Sequence, residues 1–261
     1  MRAGAPLVVG LAAVGFCGAV ALAAQERADG PRSGLDFISP ETRAMQADDT
    51  ANPGMLWVED GKRLWAATDG PSGQSCASCH GDAARSMRGV ATRYPAFDPR
   101  RKRPVDLQGR VNGCRQEKQG AAPLPAESEE LLALTAYVAH QSRGLPIAPP
   151  GDPRLTPHIE NGRRLYERRL GQLDLSCAAC HDALAGKRLS GSLVPQAHPT
   201  AYPLYRLEWQ TVGSLQRRFR NCMIGVRAEP FDYGSAEFVD LELYLMSRAR
   251  GLPIETPGVR P

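Results

Sequence analysis

The pentapeptide Cys76-Ala77-Ser78-Cys79-His80 is met again as Cys177-Ala178-Ala179-Cys180-His181, an offset of 101 from position 76 to position 177. Cys-x-x-Cys-His is the attachment pattern of haem c. Two thiols on one short turn match the separation of the two haem vinyl groups. The histidine that follows is carried beneath the ring, where it binds the iron from the proximal side. A thioredoxin-like redox pair and half of a zinc site are the other readings of Cys-x-x-Cys. Both lose on context, because histidine follows directly in each copy and the motif comes after a helix rather than inside a βαβ unit. Cys76, Cys79, Cys177 and Cys180 are therefore expected to hold two covalent haems c, with His80 and His181 on the irons.

Outward from these motifs the chain repeats itself. Glu59-Asp60-Gly61-Lys62-Arg63-Leu64-Trp65 answers to Glu160-Asn161-Gly162-Arg163-Arg164-Leu165-Tyr166, again 101 residues on. Asn112-Gly113-Cys114 parallels Arg220-Asn221-Cys222, and Arg143-Gly144-Leu145-Pro146-Ile147 recurs outright as Arg250-Gly251-Leu252-Pro253-Ile254. Chance does not keep four blocks in order. The predicted fold is mainly α: two tandem cytochrome c-like domains related by internal duplication. The first spans 50–147 with haem 1, a Pro-rich linker occupies 148–157, and the second spans 158–256 with haem 2 and the active site.

Each copy should open on a short helix before the attachment motif and close on a longer one. Ser128 is a predicted N-cap, with Glu129 and Glu130 at the positive helix end and Leu131, Leu134 and Val138 at helical spacing. Ser235, Glu237, Phe238, Leu241 and Leu245 repeat that pattern. Gly144 and Gly251 suit left-handed positions after the helix, and Pro146 and Pro253 stop it. The chain between these helices shows little strand alternation, and Pro257 onward reads as a surface tail.

The 261 residues are enough for each half to bury a core, and the formal charge of +4 is only mildly basic. With no basic stretch interleaved by aromatics, nucleic acid is excluded as a partner. Arg100-Arg101-Lys102-Arg103 is read as a solvated loop. Residues 1–23 read as a signal peptide: Arg2, an apolar run from Leu7 to Ala21, and the small-x-small site Ala21-Leu22-Ala23. The run is short for a membrane span, which needs ~20 apolar residues. Cys17 leaves with it, and the expected location is periplasmic without stable membrane insertion.

The second ligand to each iron is the more informative question. Met87, Met223 and Met246 do not recur between the copies, whereas Cys114 and Cys222 do. A Cys114–Cys222 disulfide and a pair of buried thiols are alternatives, but equivalent positions favour equivalent jobs, one per haem. A thiolate opposite histidine should lower the reduction potential. Arg217, Arg218, Arg220 and Arg227 surround Cys222, and Arg218 stands four residues before it, on the same face of a helix. Its guanidinium could fork onto a small oxyanion or onto a haem propionate, and Arg110 stands four residues before Cys114 as well.

The two attachment motifs, the lone Cys114 and Cys222, the run Arg217-Arg218-Phe219-Arg220-Asn221-Cys222 and the stretch Ser247-Arg248-Ala249-Arg250-Gly251-Leu252-Pro253 together resemble the SoxA family. These are the dihaem subunits of the SoxAX cytochromes of bacterial sulfur oxidation, the L-cysteine S-thiosulfotransferases. The resemblance covers essentially the whole mature chain. It implies that thiosulfate is joined oxidatively to a cysteine on the mobile arm of the carrier SoxYZ, and that two electrons leave through haem to the monohaem cytochrome SoxX. It also implies that Cys222 ligates the second haem, carries a persulfide and sits at the active site beside Arg218, with Arg248 a further pocket candidate. The first haem, with His80 and Cys114, would be remote from the chemistry. A dihaem electron carrier without substrate predicts methionine or histidine as distal ligand. A tetrathionate-forming thiosulfate dehydrogenase needs only one His/Cys haem. The duplicated cysteine favours SoxA over both.

Overall fold

Two helix crossings frame the protein, for which the computed structural model describes Met1 and residues 30–261. The leader expected at residues 1–23 lies outside the described residues apart from Met1. In the first half, helix Met55–Ala66 packs against helix Glu129–His140; in the second, Thr156–Glu167 packs against Ala236–Arg248. The closing helices begin at the predicted caps. Ser128 Oγ accepts from the Leu131 N–H and Ser235 Oγ from the Phe238 N–H, and Glu129, Glu130 and Glu237 occupy the first turns. The repeated glycines make the crossings possible. A Cβ at Gly61 would stand 2.1 Å from the Ala133 carbonyl oxygen, and one at Gly162 the same 2.1 Å from that of Asp240. Any other residue would force the helices apart.

Equivalent aromatics fill the space beside each crossing. Trp65 packs with Ala83 and Val138, and Tyr166 with Phe238, Leu241 and Leu245. Each also anchors the residue just after its attachment motif: Trp65 Nε1 donates to the Gly81 carbonyl at 3.0 Å, and Tyr166 Oη to Asp182 Oδ1 at 2.8 Å. The motifs themselves form one-turn helices, Cys76–His80 and Cys177–His181, capped by Ser75 and Ser176.

A short antiparallel hairpin follows in each half, and the two share one register. Ala96 pairs with Val105 and Asp98 with Arg103; Leu204 pairs with Gly213 and Arg206 with Thr211. Next come the caps Asp106 and Ser214, then the helices Leu107–Cys114 and Leu215–Gly225 that carry Cys114 and Cys222. From hairpin to cysteine the offset is constant at 108, from 98 to 206 and from 114 to 222. These strands are three residues long, too short for alternation to show in the sequence.

The stretch after Pro257 is not a surface tail. Gly258–Arg260 forms a third strand, parallel to Leu204–Arg206, and Val259 is 0% exposed. Gln46 accepts from the Val259 N–H at 3.0 Å, and Asn52 donates to the Pro257 carbonyl at 2.9 Å. The strand's partners lie about fifty and two hundred residues upstream, beyond the reach of local pattern.

The duplicated segments meet each other. The Gly144 N–H donates to the Ile254 carbonyl and the Ile254 N–H to the Leu145 carbonyl; the Ile147 N–H donates to Leu252 and the Gly251 N–H to Ile147. Ile147, Met246, Ala249 and Ile254 close a small core over this junction. Leucine and isoleucine in the repeated block thus serve the contact between copies, and the Pro-rich stretch begins from a buried anchor at Ile147.

Candidate active site

Helix Leu215–Gly225 brings Cys222 against the attachment helix Cys177–His181, where the cysteine and His181 lie within hydrogen-bond reach and Cys177 is a close neighbour. The Pro195 carbonyl lies 2.7 Å from His181 Nδ1. A proton on Nδ1 satisfies that contact and leaves Nε2 as the ligating nitrogen, the second-shell arrangement of a metal-bound imidazole. An imidazole held in this way, faced by a thiol and followed back along the chain by two cysteines on one turn, is the donor set that a covalently held haem c requires. The residues fit the group.

In the first half Cys114 stands near Cys76 and Cys79, and the His80 ring lies 5.7 Å from that of Trp65. Cys114 and Cys222 thus each lie by the Cys-x-x-Cys-His turn of their own half, and no disulfide joins any of the six cysteines among the described residues.

The arginines around Cys222 separate by contact. Arg217 stacks on Trp209 at 4.3 Å. Arg220 donates to the Phe231 carbonyl and lies over Tyr233, and Arg227 is exposed. Arg218 is the one directed at Cys222: burial presses on its charge, but the charges of Cys222 and the Tyr202 phenol favour it. Among the described residues no carboxylate lies within 4 Å of it. Burial pushes the Cys222 thiol up, yet its contact with His181 and the positive charges of Arg218 and Arg206 overcome that, so its net shift is downward. Burial wins at Cys114, and that thiol is shifted up. The two equivalent cysteines therefore sit in different electrostatic settings.

Arg248 takes another place. It pairs with Asp182 at 2.6 Å and lies over Tyr166 at 4.6 Å, which ties it to the residue following His181 rather than to Cys222. Arg110 is likewise committed, to Asp98 at 3.2 Å, with the Tyr94 phenol beside it. Two residues that the local reading passes over stand at the Cys222 site. Tyr202 is half-buried near Arg218, Cys222, Arg260 and Arg206, and Arg206 ends the first strand of the second hairpin. The constant offset of 108 was the available signal, since it sets Tyr202 on Tyr94 and Arg206 on Asp98.

Fold and site together define a c-type cytochrome made of two cytochrome c-like domains. The family model for the SoxA/TsdA cytochrome c domain matches residues 60–147 and 161–254. The chain is 42% identical over 229 residues to the L-cysteine S-thiosulfotransferase subunit SoxA of Pseudaminobacter salicylatoxidans, covering 87% of this chain and 80% of that one. Its identity to the SoxA subunit of Rhodovulum sulfidophilum is 36%, over 90% of this chain and 82% of the other. The crystal structure of SoxXA from P. pantotrophus superposes with a TM-score of 0.85 at 35% identity, covering 88% of this chain and 87% of that one. The chain belongs to the SoxA/TsdA cytochrome c family, on its SoxA side, and haem c is its cofactor.

Proposed function

We infer that the chain acts as the haem subunit of an L-cysteine S-thiosulfotransferase, with Cys222 as its reactive sulfur and Arg218 as the group that holds thiosulfate beside it. The observation that carries this reading is the guanidinium of Arg218, one helical turn from Cys222 and with no carboxylate within 4 Å among the described residues. Thiosulfate is a small dianion whose terminal sulfur is soft. A guanidinium that forks onto the sulfonate oxygens sets that sulfur toward Cys222, and a site prepared before the ligand arrives need not reorganise.

The net reaction joins thiosulfate to the carrier cysteine of SoxYZ, forming one S–S bond and releasing one proton and two electrons. Cys222 is proposed to carry a persulfide, a soft sulfur suited to sulfane exchange. Haem c, when bound, accepts electrons one at a time. The remaining work falls to the chain: Pro195 holds the His181 tautomer and Arg218 binds the anion. The electrons would pass to a monohaem partner, SoxX, whose complex with SoxA is the matched structure.

In this reading the domain at 50–147 holds one haem through Cys76 and Cys79, with His80 and Cys114 on its iron. After the linker 148–157, the domain at 158–256 holds the other through Cys177 and Cys180, with His181 and Cys222. Residues 1–23 direct the chain to the periplasm and are removed. No helix among the described residues is long and apolar enough to cross a membrane.

The test is thiosulfate- and SoxYZ-dependent reduction of SoxX by the purified holo-complex. Cys222→Ala should abolish it while the first haem stays attached. Full activity in that variant would end the assignment.

A further inference from the structure

The hairpins that precede the two cysteine helices share a register, and at one position they carry opposite charges. Asp98 and Arg206 are the last residues of equivalent strands, paired with Arg103 and Thr211 across equivalent turns. Each precedes an arginine by twelve residues and a cysteine by sixteen, both on the following helix: Arg110 and Cys114 in one half, Arg218 and Cys222 in the other. In the first half the geometry is explicit. Asp98 is 4% exposed and reaches Arg110 at 3.2 Å, so that guanidinium is neutralised. The second half sets a cation where the first sets this carboxylate.

We propose that Arg206 is a substrate-binding residue, the second cation of a two-guanidinium site that takes small dianions between itself and Arg218. The proposal rests on the active-site reading at Cys222 and deepens it.

Arg206 has few other ties. Its side chain is 17% exposed, and Nε and Nη2 both contact a single oxygen, Glu208 Oε2, at 3.0 and 2.9 Å. Glu208 itself is 64% exposed, and an ion pair with so solvated a partner contributes little. The guanidinium lies 5.3 Å from the Trp209 ring, on which Arg217 also stacks, so aromatic packing holds its direction. Arg206 is also close enough to bear electrostatically on Cys222 and on the Tyr202 phenol, as Arg218 does.

Two like charges brought together and half-buried disfavour each other, and burial and Arg218 both act against the Arg206 charge. An anion between them relieves that repulsion. A dianion relieves it better than a monoanion, because each guanidinium then faces a full negative charge. Thiosulfate is such a dianion, with three sulfonate oxygens for two forks and a terminal sulfur left to face Cys222. Asp98 makes the first half unable to do the same, although its cysteine, arginine and tyrosine are all present.

The experiment uses the holo-complex with SoxX and SoxYZ and varies thiosulfate. Arg206→Gln should raise KM about 10–100-fold with kcat lowered much less, the pattern of lost ground-state binding. Arg206→Lys should recover most of that loss by restoring the charge, and Arg206→Asp, which copies the first half, should be worse than Arg206→Gln. A merely structural role would lower kcat or holo-protein yield and would not follow this charge order. If Arg206→Gln proves unstable, the Arg206→Lys and Arg206→Asp pair carries the same test. A KM within twofold of wild type in Arg206→Gln, with Cys222→Ala inactive, would overturn the proposal and leave the Cys222 reading standing. Activity persisting in Cys222→Ala would overturn both.

Discussion

Arg110 is pinned to Asp98, Nη2 to Oδ2 at 3.2 Å, and the carboxylate that holds it is almost wholly buried. The equivalent guanidinium of the second half, Arg218, has no such partner among the described residues. Position in the repeat makes the two arginines twins, but only one is free to take an anion.

Arg218→Ala should therefore cost activity far more than Arg110→Ala. Removing a donor to a developing or bound oxyanion typically costs ~10²–10³ in turnover, and Arg218→Ala should lose about that much with its haem spectrum retained. Arg110→Ala should stay within about a factor of ten, roughly 1.4 kcal/mol, and its loss should appear in stability, because the buried Asp98 loses its ion-pair partner and keeps only the backbone N–H groups of Arg100 and Arg101. Steady-state reduction of SoxX by thiosulfate and SoxYZ, with melting curves on the same samples, measures both. Equal losses of turnover would mean that both arginines serve haem propionates.

The mature periplasmic protein should carry two haems on four thioether bonds. Mass spectrometry should find the chain without residues 1–23, heavier by two haems, with Cys76, Cys79, Cys177 and Cys180 blocked to alkylation. A single added haem would remove one of the two cofactor assignments.

Both irons should be low-spin with sulfur opposite imidazole. Cys114 and Cys222 each lie by the attachment cysteines of their own half, in support of that pairing. Electron paramagnetic resonance of the oxidised protein should show low-spin signals, without the red absorption band of a methionine–iron bond. Cys114→Met and Cys222→Met should each change one signal set and raise one potential. Unchanged spectra in either variant would show that cysteine is not the ligand there.

Between the halves, a cleft of about 70 Å³ is lined by Asp106, Gln216, Glu242, Tyr94, Tyr202 and Met246. Asp106 accepts from the Gly109 N–H at 2.7 Å and from Gln216 Nε2 at 2.8 Å, whereas Glu242 has no backbone donor among the described residues. Burial, and then the nearby Asp106, push the Glu242 carboxyl well above the ordinary carboxylate range, so Glu242 holds the proton. The folded state then binds a proton that the unfolded chain releases at ordinary carboxylate pH. Its stabilising contribution is complete below the unfolded value of ~4.3 and is lost as pH rises toward the folded value. Glu242→Gln removes that dependence. The variant should match wild type near pH 4 and be the more stable of the two at pH 8, with the higher Tm. Thermal melts across that range check it, and a gap that narrows with rising pH would contradict the assignment.

Much of this architecture was legible in the linear chain, because local rules produce it. Cys-x-x-Cys-His needs only five consecutive residues to form its turn, Ser128 and Ser235 cap helices through bonds three residues long, and a duplicated block announces a duplicated fold. The nearness of Arg218 to Cys222 follows from one helical turn. What needed the tertiary structure were relations between residues far apart in the chain. The last strand, Gly258–Arg260, finds its pairing partners at Leu204–Arg206 and Gln46, so a segment that reads as a tail lies in the core. Of the four arginines around Cys222, three are claimed by Trp209, by the Phe231 carbonyl and by solvent, and no local pattern states which. Asp98 and Arg206 lie twelve and sixteen residues before their arginine and cysteine, across a turn of the hairpin. Charge acts through space, so composition near Cys114 and Cys222 made the two sites look alike. Only the folded hairpins put a carboxylate on the Arg110 guanidinium and, at the equivalent register position of the second half, a cation in its stead.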